Sequence, residues 1–179
     1  MPGVIFEGPD GGGKSTMAEA FASAMGLSIM HMGGPPETEL EMLDRVRRQI
    51  TASKYPIIFD RTPLLSELVY GKILRGKSVI NPQWIRNLHV FDLLVYCRPS
   101  NQTILNHEHI VKPHKVRGHV DAVKERLDLI CAYYDKLINE ILIEEVIPVV
   151  ILNRDMSGIE EGVKCVELIY RMVRKTSQG

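Results

Sequence analysis

Five short apolar runs punctuate the chain and separate stretches with helical spacing. Gly3-Val4-Ile5-Phe6-Glu7, Leu27-Ser28-Ile29-Met30-His31, Tyr55-Pro56-Ile57-Ile58-Phe59, Leu93-Leu94-Val95-Tyr96-Cys97 and Val149-Val150-Ile151-Leu152 have the length and composition of buried strands. Between them, Met17, Ala20, Phe21 and Ala24 recur on one helical face until Gly26. Leu40, Leu43, Val46 and Ile50 form a second stripe, expected to pack inward, with Arg45 and Arg48 off it. Those arginines fit either a solvated face or a site for an anion. Thr62-Pro63 and Asn81-Pro82 each read as an N-cap followed by proline at the first helical position, the second helix carrying Trp84, Ile85 and Leu88. Gly71 and Gly76 loosen or end the helix begun at Pro63. Ser100 caps a helix in which Ile104 and Leu105 are the apolar contacts. Val120, Val123, Leu127, Ile130, Tyr134, Leu137 and Ile141 predict one long helix, and Ser157-Gly158-Ile159-Glu160 is a capping box for the last. Strands alternating with helices imply βαβ units, so the expected fold is α/β, a five-stranded parallel sheet covered by helices on both faces.

Into this pattern falls Gly8-Pro9-Asp10-Gly11-Gly12-Gly13-Lys14-Ser15-Thr16, which satisfies G-x-x-x-x-G-K-S/T in full. It leaves a predicted strand and enters a predicted helix, the setting of a P-loop, whose backbone N–H groups wrap a polyphosphate at a positive helix end. Gly8, Gly11, Gly12 and Gly13 permit close backbone approach, and Asp10 and Thr16 complete the loop. Lys14 reaches the β- and γ-phosphates as a solvent-facing charge, and the Ser15 hydroxyl suits Mg²⁺. ATP and Mg²⁺ are therefore the expected cofactors. Asp60-Arg61 ends the third strand at the sheet edge where ligands bind in open parallel sheets. Arg61 is placed to grip a second phosphate through its planar fork, and Asp60 to orient Mg²⁺-bound water or Arg61 itself.

Composition narrows the classes. The 179 residues suit a single domain, and a formal net charge of +0 with 45% hydrophobic and 25% charged residues lacks the basic footprint of a nucleic-acid binder. Cys97, Cys131 and Cys165 are widely spaced and odd in number, suggesting neither a disulfide framework nor a zinc site. No basic leader or membrane-length apolar run is evident, so a cytoplasmic chain without a membrane partner is expected. Residues 107–119 read as a polar, basic flap. Their histidines (His107, His109, His114, His119) have spacings that match no helical metal pair.

Phe6-Glu7-Gly8-Pro9-Asp10-Gly11-Gly12-Gly13-Lys14-Ser15-Thr16 resembles the opening of thymidylate kinases, and Asp60-Arg61 falls where that family has its D-R pair. Ser66-Glu67-Leu68-Val69-Tyr70-Gly71 is similar to a stretch of the small phage-type thymidylate or deoxynucleoside monophosphate kinases. Thr62 stands where an aromatic or histidine is usual, and the serine comes one residue late. The resemblance implies a three-layer P-loop kinase fold over 1–179 with a short lid at about 107–119. It also implies ATP-dependent phosphorylation of a nucleoside monophosphate, a sugar contact from Asp10, and a homodimer through helices. Gly11 matches the family form in which the lid supplies a catalytic cation. Arg117 is the first candidate and Lys115 the second, with Arg98 and Arg154 in reserve and Arg154 also a candidate ATP contact.

Two other classes remain open at this level. A deoxynucleoside kinase acts on a neutral hydroxyl and needs a general base, placed in that class at the end of the second strand. His31-Met32-Gly33-Gly34 occupies that place, and the first carboxylate after it is Glu37. A nucleotide-dependent switch would need a base-reading stretch that Asn153-Arg154-Asp155 matches poorly. Asn87, Gln83, Tyr70, Arg98 and Trp84 are the candidates to line a base pocket.

Overall fold

The computed structural model describes residues 3–33, 36, 38–106, 117–153, 155 and 158–176. Five parallel strands, β1 (Val4–Glu7), β2 (Ser28–His31), β3 (Ile57–Asp60), β4 (Leu93–Cys97) and β5 (Val149–Leu152), form one sheet in the order β2-β3-β1-β4-β5. The register brings Phe6 opposite Asp60, Glu7 opposite Tyr96, and His31 opposite Asp60, so the carboxyl ends of the three inner strands and of β2 meet along one edge.

Side-chain alternation along β1 separates two cores. Val4 and Phe6 face α1 (Lys14–Met25) and α8 (Ile159–Thr176), where Phe21 stacks between Phe6 and Tyr170. Ile5 faces the opposite layer of α2 (Glu39–Ala52), α3 (Pro63–Ser66) and α7 (Leu127–Ile143), with Phe59, Leu64, Tyr96 and Tyr134. The helix opened at Pro63 runs through a π turn (Glu67–Gly71) into α4 (Lys72–Arg75) and ends at Gly76, φ 75°. Thr62 Oγ1 and Asn81 Oδ1 both make the expected caps, accepting from Leu64 N at 3.3 Å and Gln83 N at 2.9 Å.

Five details differ from the sequence reading. The buried stripe of α2 is Met42, Val46 and Gln49, while Leu40 is 78% exposed and Leu43 also faces solvent. The helix is thus rotated, and its most buried position is held by an amide that finds tertiary partners. Pro82–Val90 is a 3₁₀-helix, whose three-residue turn still buries Ile85 and Leu88 and leaves Trp84 at the surface. The long helix is two, α6 (Arg117–Glu125) and α7, broken at Arg126, whose N–H bonds back three residues to Val123 O and whose guanidinium donates to Ile73 O. Of residues 107–119, expected as a loop, 117–119 form the first turn of α6, and 107–116 lie outside the described residues. In α5 (Asn101–Asn106), Ile104 is buried but Leu105 is largely exposed. No helix among the described residues is long and apolar enough to cross a membrane.

Candidate functional site

The loop between β1 and α1 depends on glycine at particular positions. Gly8 has φ 148°, and a Cβ there would sit 2.3 Å from the Cys97 carbonyl oxygen, so β4 packs directly on the loop. Gly13, in the left-handed region at φ 78°, caps α1 and turns the chain into it. The loop folds on itself through Gly12 N to Pro9 O, 3.0 Å, and leaves Ser15 and Thr16 exposed at the start of α1.

Lys14 is not the solvent-facing charge expected from sequence. It is 5% exposed, and its Nζ donates to Pro9 O at 3.2 Å and lies 3.5 Å from Asp10 Oδ1. Burial lowers its pKa, and the negative fields of Glu7 and Asp60 oppose that shift. The same Asp10 oxygen is ion-paired with Arg61. A cation from the P-loop and a cation from the end of β3 therefore converge on one carboxylate.

Arg61 is built into this position. Its backbone is in the left-handed region, φ 81°, which is unfavourable for a side chain larger than glycine. The backbone N–H donates to Phe6 O at 2.9 Å, and the carbonyl accepts from Gln49 Nε2 at 3.0 Å. The guanidinium lies over the Tyr70 ring, 5.7 Å from its centroid, and the Tyr70 hydroxyl accepts the Asp10 N–H at 2.9 Å. Burial pushes the Tyr70 pKa upward, against the Arg61 charge, so this phenol stays neutral. Asp60 Oδ2 lies 2.9 Å from His31 Nδ1, while its buried Oδ1 has no hydrogen-bond partner among the described residues.

Beside these groups an open cleft of about 470 Å³ is lined by Met32, Gly33, Pro36, Met42, Arg45, Arg61, Pro63, Ser66, Glu67, Tyr70 and Arg75. Arg45, whose role the sequence left open, turns back into this cleft, donating to Met32 O at 3.1 Å and pairing with Glu41. Glu67, buried in the π turn, pairs with Arg75 and accepts the Val79 N–H at 3.2 Å. Of the five residues considered for a base pocket, only Tyr70 lines the cleft. Arg98 is held by Asp135 at 3.1 Å and by Asn101, away from it, and Gln83 and Trp84 face solvent. The Arg117 side chain, Lys115 and Arg154 lie outside the described residues.

Two buried polar residues at this edge were given no role by the sequence. Glu7 ends β1 at 0% exposure and accepts four hydrogen bonds, from Gly8 N, Thr62 N, Ser66 Oγ and Tyr134 Oη. Gln49 bridges the Arg61 carbonyl and the Thr62 hydroxyl, the latter at 2.7 Å. Glu7 could have been found as the carboxylate that closes an apolar strand within the stretch resembling thymidylate kinases, whereas Gln49 leaves only an amide on a helix's buried stripe.

No family model and no curated protein sequence matches the chain. Solved structures match along nearly its whole length. The YorR protein of Bacillus subtilis, in complex with phosphorylated GDP, is 17% identical with a TM-score of 0.73 over 97% of this chain and 98% of its own. A deoxyadenosine kinase from M. mycoides, with dCMP and a flexible dCDP bound, is 14% identical with a TM-score of 0.66 over 96% of this chain and 99% of its own. Shikimate kinase from Acinetobacter baumannii, in complex with shikimate, is 12% identical with a TM-score of 0.58 over 94% and 93%. At these identities the likeness is one of fold, and the chain has the α/β fold of P-loop kinases.

Proposed function

We propose that this chain is an ATP-dependent kinase that phosphorylates a nucleoside or deoxynucleoside monophosphate to the diphosphate, in the manner of the thymidylate kinases its motifs resemble. The observation that carries the reading is the convergence of Lys14 and Arg61 on Asp10 beside the cleft that Arg61 lines. Phosphoryl transfer asks the protein mainly to hold two phosphates in line and to neutralise the charge between them. Lys14 and the P-loop amides hold the donor, and Arg61 holds the acceptor phosphate. The rest of the acceptor occupies the cleft between α2 and the π turn, with Asp10 beside its sugar.

The residues present suit Mg²⁺. The exposed Ser15 hydroxyl and the unsatisfied Asp60 Oδ1 are oxygen acceptors of the kind a hard cation takes, directly or through water. Bound with ATP, the ion would neutralise charge on the β- and γ-phosphate oxygens. In this reading residues 1–179 act as one domain, in the cytoplasm, as a homodimer, with neither nucleic acid nor a membrane as partner.

One observation favours a second reading. A buried carboxylate oxygen without a hydrogen-bond partner among the described residues, Asp60 Oδ1, beside the acceptor arginine could take the proton of a 5′-hydroxyl, which a deoxynucleoside kinase requires. A panel of nucleosides and nucleoside monophosphates, with ATP and Mg²⁺ and product analysis for ADP and phosphorylated acceptor, separates the two. The expected result is a monophosphate as the best acceptor. A nucleoside as the best acceptor gives the reaction to the second reading, and ATP hydrolysis unaffected by any acceptor overturns both.

The flap provides a further expectation. With Gly11 bringing no side chain, the charge spread over the transferring phosphoryl benefits from another cation. In this reading it comes from Arg117, placed at the start of α6, or from Lys115. Arg117→Ala is expected to lower kcat about ten- to a thousandfold with little change in the acceptor KM. Near-normal kcat in Arg117→Ala, Lys115→Ala and the double variant would place the cation elsewhere.

A further inference from the structure

Glu7 has no part in the roles proposed above, yet its buried carboxylate accepts four hydrogen bonds at the sheet's carboxyl edge. Its two oxygens serve different sides of the site. Oε1 accepts from Gly8 N at 2.9 Å, where the phosphate loop begins, and from Tyr134 Oη of α7 at 3.0 Å. Oε2 accepts from Thr62 N at 2.8 Å, next to Arg61, and from Ser66 Oγ at 2.9 Å. An ionised carboxylate offers about four lone-pair sites, so four donors saturate it, and bonds to a charged acceptor are stronger than neutral ones.

The acceptor side is fixed around it. Arg61 N–H is bound to Phe6 O, the residue before Glu7, and Arg61 C=O to Gln49, so the left-handed turn at Arg61 is held on each side. From this arrangement we infer that Glu7 is a positioning residue: one planar carboxylate fixes the P-loop relative to Arg61, and thereby the spacing of donor and acceptor phosphates. The inference rests on the kinase reading for its kinetic consequence but not for the tie between the loops. Each loop keeps its own contacts to its ligand when the tie is cut, while their mutual placement loosens. Turnover should therefore suffer more than the binding of either substrate, because misplacement of reacting groups by an ångström is felt chiefly in the rate.

Glu7→Gln is the informative change. An amide has one acceptor oxygen and one donating NH₂, whereas Gly8 and Thr62 both present backbone N–H groups that cannot turn around. Glutamine can satisfy one loop and must face the other with a donor. The expected result is a fall in kcat of about 30-fold, with the equilibrium affinities for ATP alone and for the acceptor alone each within about threefold of wild type. Unchanged kcat overturns the inference. So does an equal loss in kcat and both affinities, which is what a general loosening of both sites produces; kcat is taken per ATP-binding site, so that a reduced folded fraction does not count as a loss of turnover.

Should Glu7→Gln not fold, Tyr134→Phe removes one donor to Oε1 while keeping the ring. It is expected to lower kcat about threefold to tenfold at unchanged affinities, and a normal kcat overturns the inference. Amide hydrogen exchange supplies a readout independent of turnover. ATP should slow exchange at both Gly8 and Thr62 in the wild type, lose its effect at Thr62 in Glu7→Gln, and keep only part of it in Tyr134→Phe, where both backbone N–H bonds to the carboxylate remain but Oε1 is less firmly held. If ATP protects Thr62 equally in the variants, the tie is wrong whatever the activity. If the coupled protection is seen and no acceptor is phosphorylated, the tie stands and the kinase reading fails.

Discussion

Lys14→Ala is expected to reduce kcat/KM by about 1,000-fold or more, about 4 kcal/mol of transition-state stabilisation, while the chain still folds. The reason lies in where the ammonium sits. Its Nζ is enclosed by the loop, at 3.2 Å from Pro9 O and 3.5 Å from Asp10 Oδ1, and burial lowers its pKa against the pull of Glu7 and Asp60. A cation in such a water-poor place acts on a phosphate with little screening, and no side chain of alanine replaces it. The effect on folding is expected to be small because two contributions oppose each other. Alanine abandons the bond to Pro9 O, but it also relieves the desolvation of a buried charge, and Arg61 still neutralises Asp10. Steady-state kinetics beside a thermal melt check this. A cooperatively folded variant with wild-type turnover would remove Lys14 from the reaction.

The case of Lys14 also shows how far the sequence carries. A full P-loop motif between an apolar run and a helical stripe specified the turn and its place at the end of β1, because every part of that signal is local. The parallel sheet was equally legible, since strands buried on both faces must be short continuous apolar runs separated by helices. What escaped was set by tertiary partners. Gln49 lies on the buried stripe of α2 only because Arg61 O and Thr62 Oγ1 complete its hydrogen bonds, and no periodicity rule puts an amide there in preference to Leu40. Glu7 is buried because four donors from three separate segments meet it, donors up to 127 positions away in the chain. The break at Arg126 depends on a carbonyl of α4, and the apolar stripe of Val123, Leu127, Ile130 and Tyr134 runs across it without a seam.

Arg61→Ala is expected to lower kcat/KM for the acceptor by about 100- to 1,000-fold while changing ATP affinity by no more than about threefold. An arginine fork on a phosphate makes two charge-assisted bonds, each worth about 1.5 to 2 kcal/mol at a partly open site, and alanine removes both. The donor side should be spared because Lys14 and the loop glycines do not depend on the Arg61 side chain for their placement. A small loss of ATP affinity is allowed for, since Asp10, relieved of Arg61, would hold Lys14 more closely. Backbone conformation is a separate matter that two further variants resolve. At φ 81° alanine is as unfavourable as arginine, whereas glycine relieves a strain of about 1 kcal/mol. Arg61→Gly should therefore be as inactive as Arg61→Ala but more stable to heat. Arg61→Lys retains charge without the fork and should recover only part of the acceptor's kcat/KM. If ATP affinity falls in Arg61→Ala as far as acceptor use does, the division between a donor lysine and an acceptor arginine is wrong. The convergence on Asp10 would then mark a single phosphate site served by both cations.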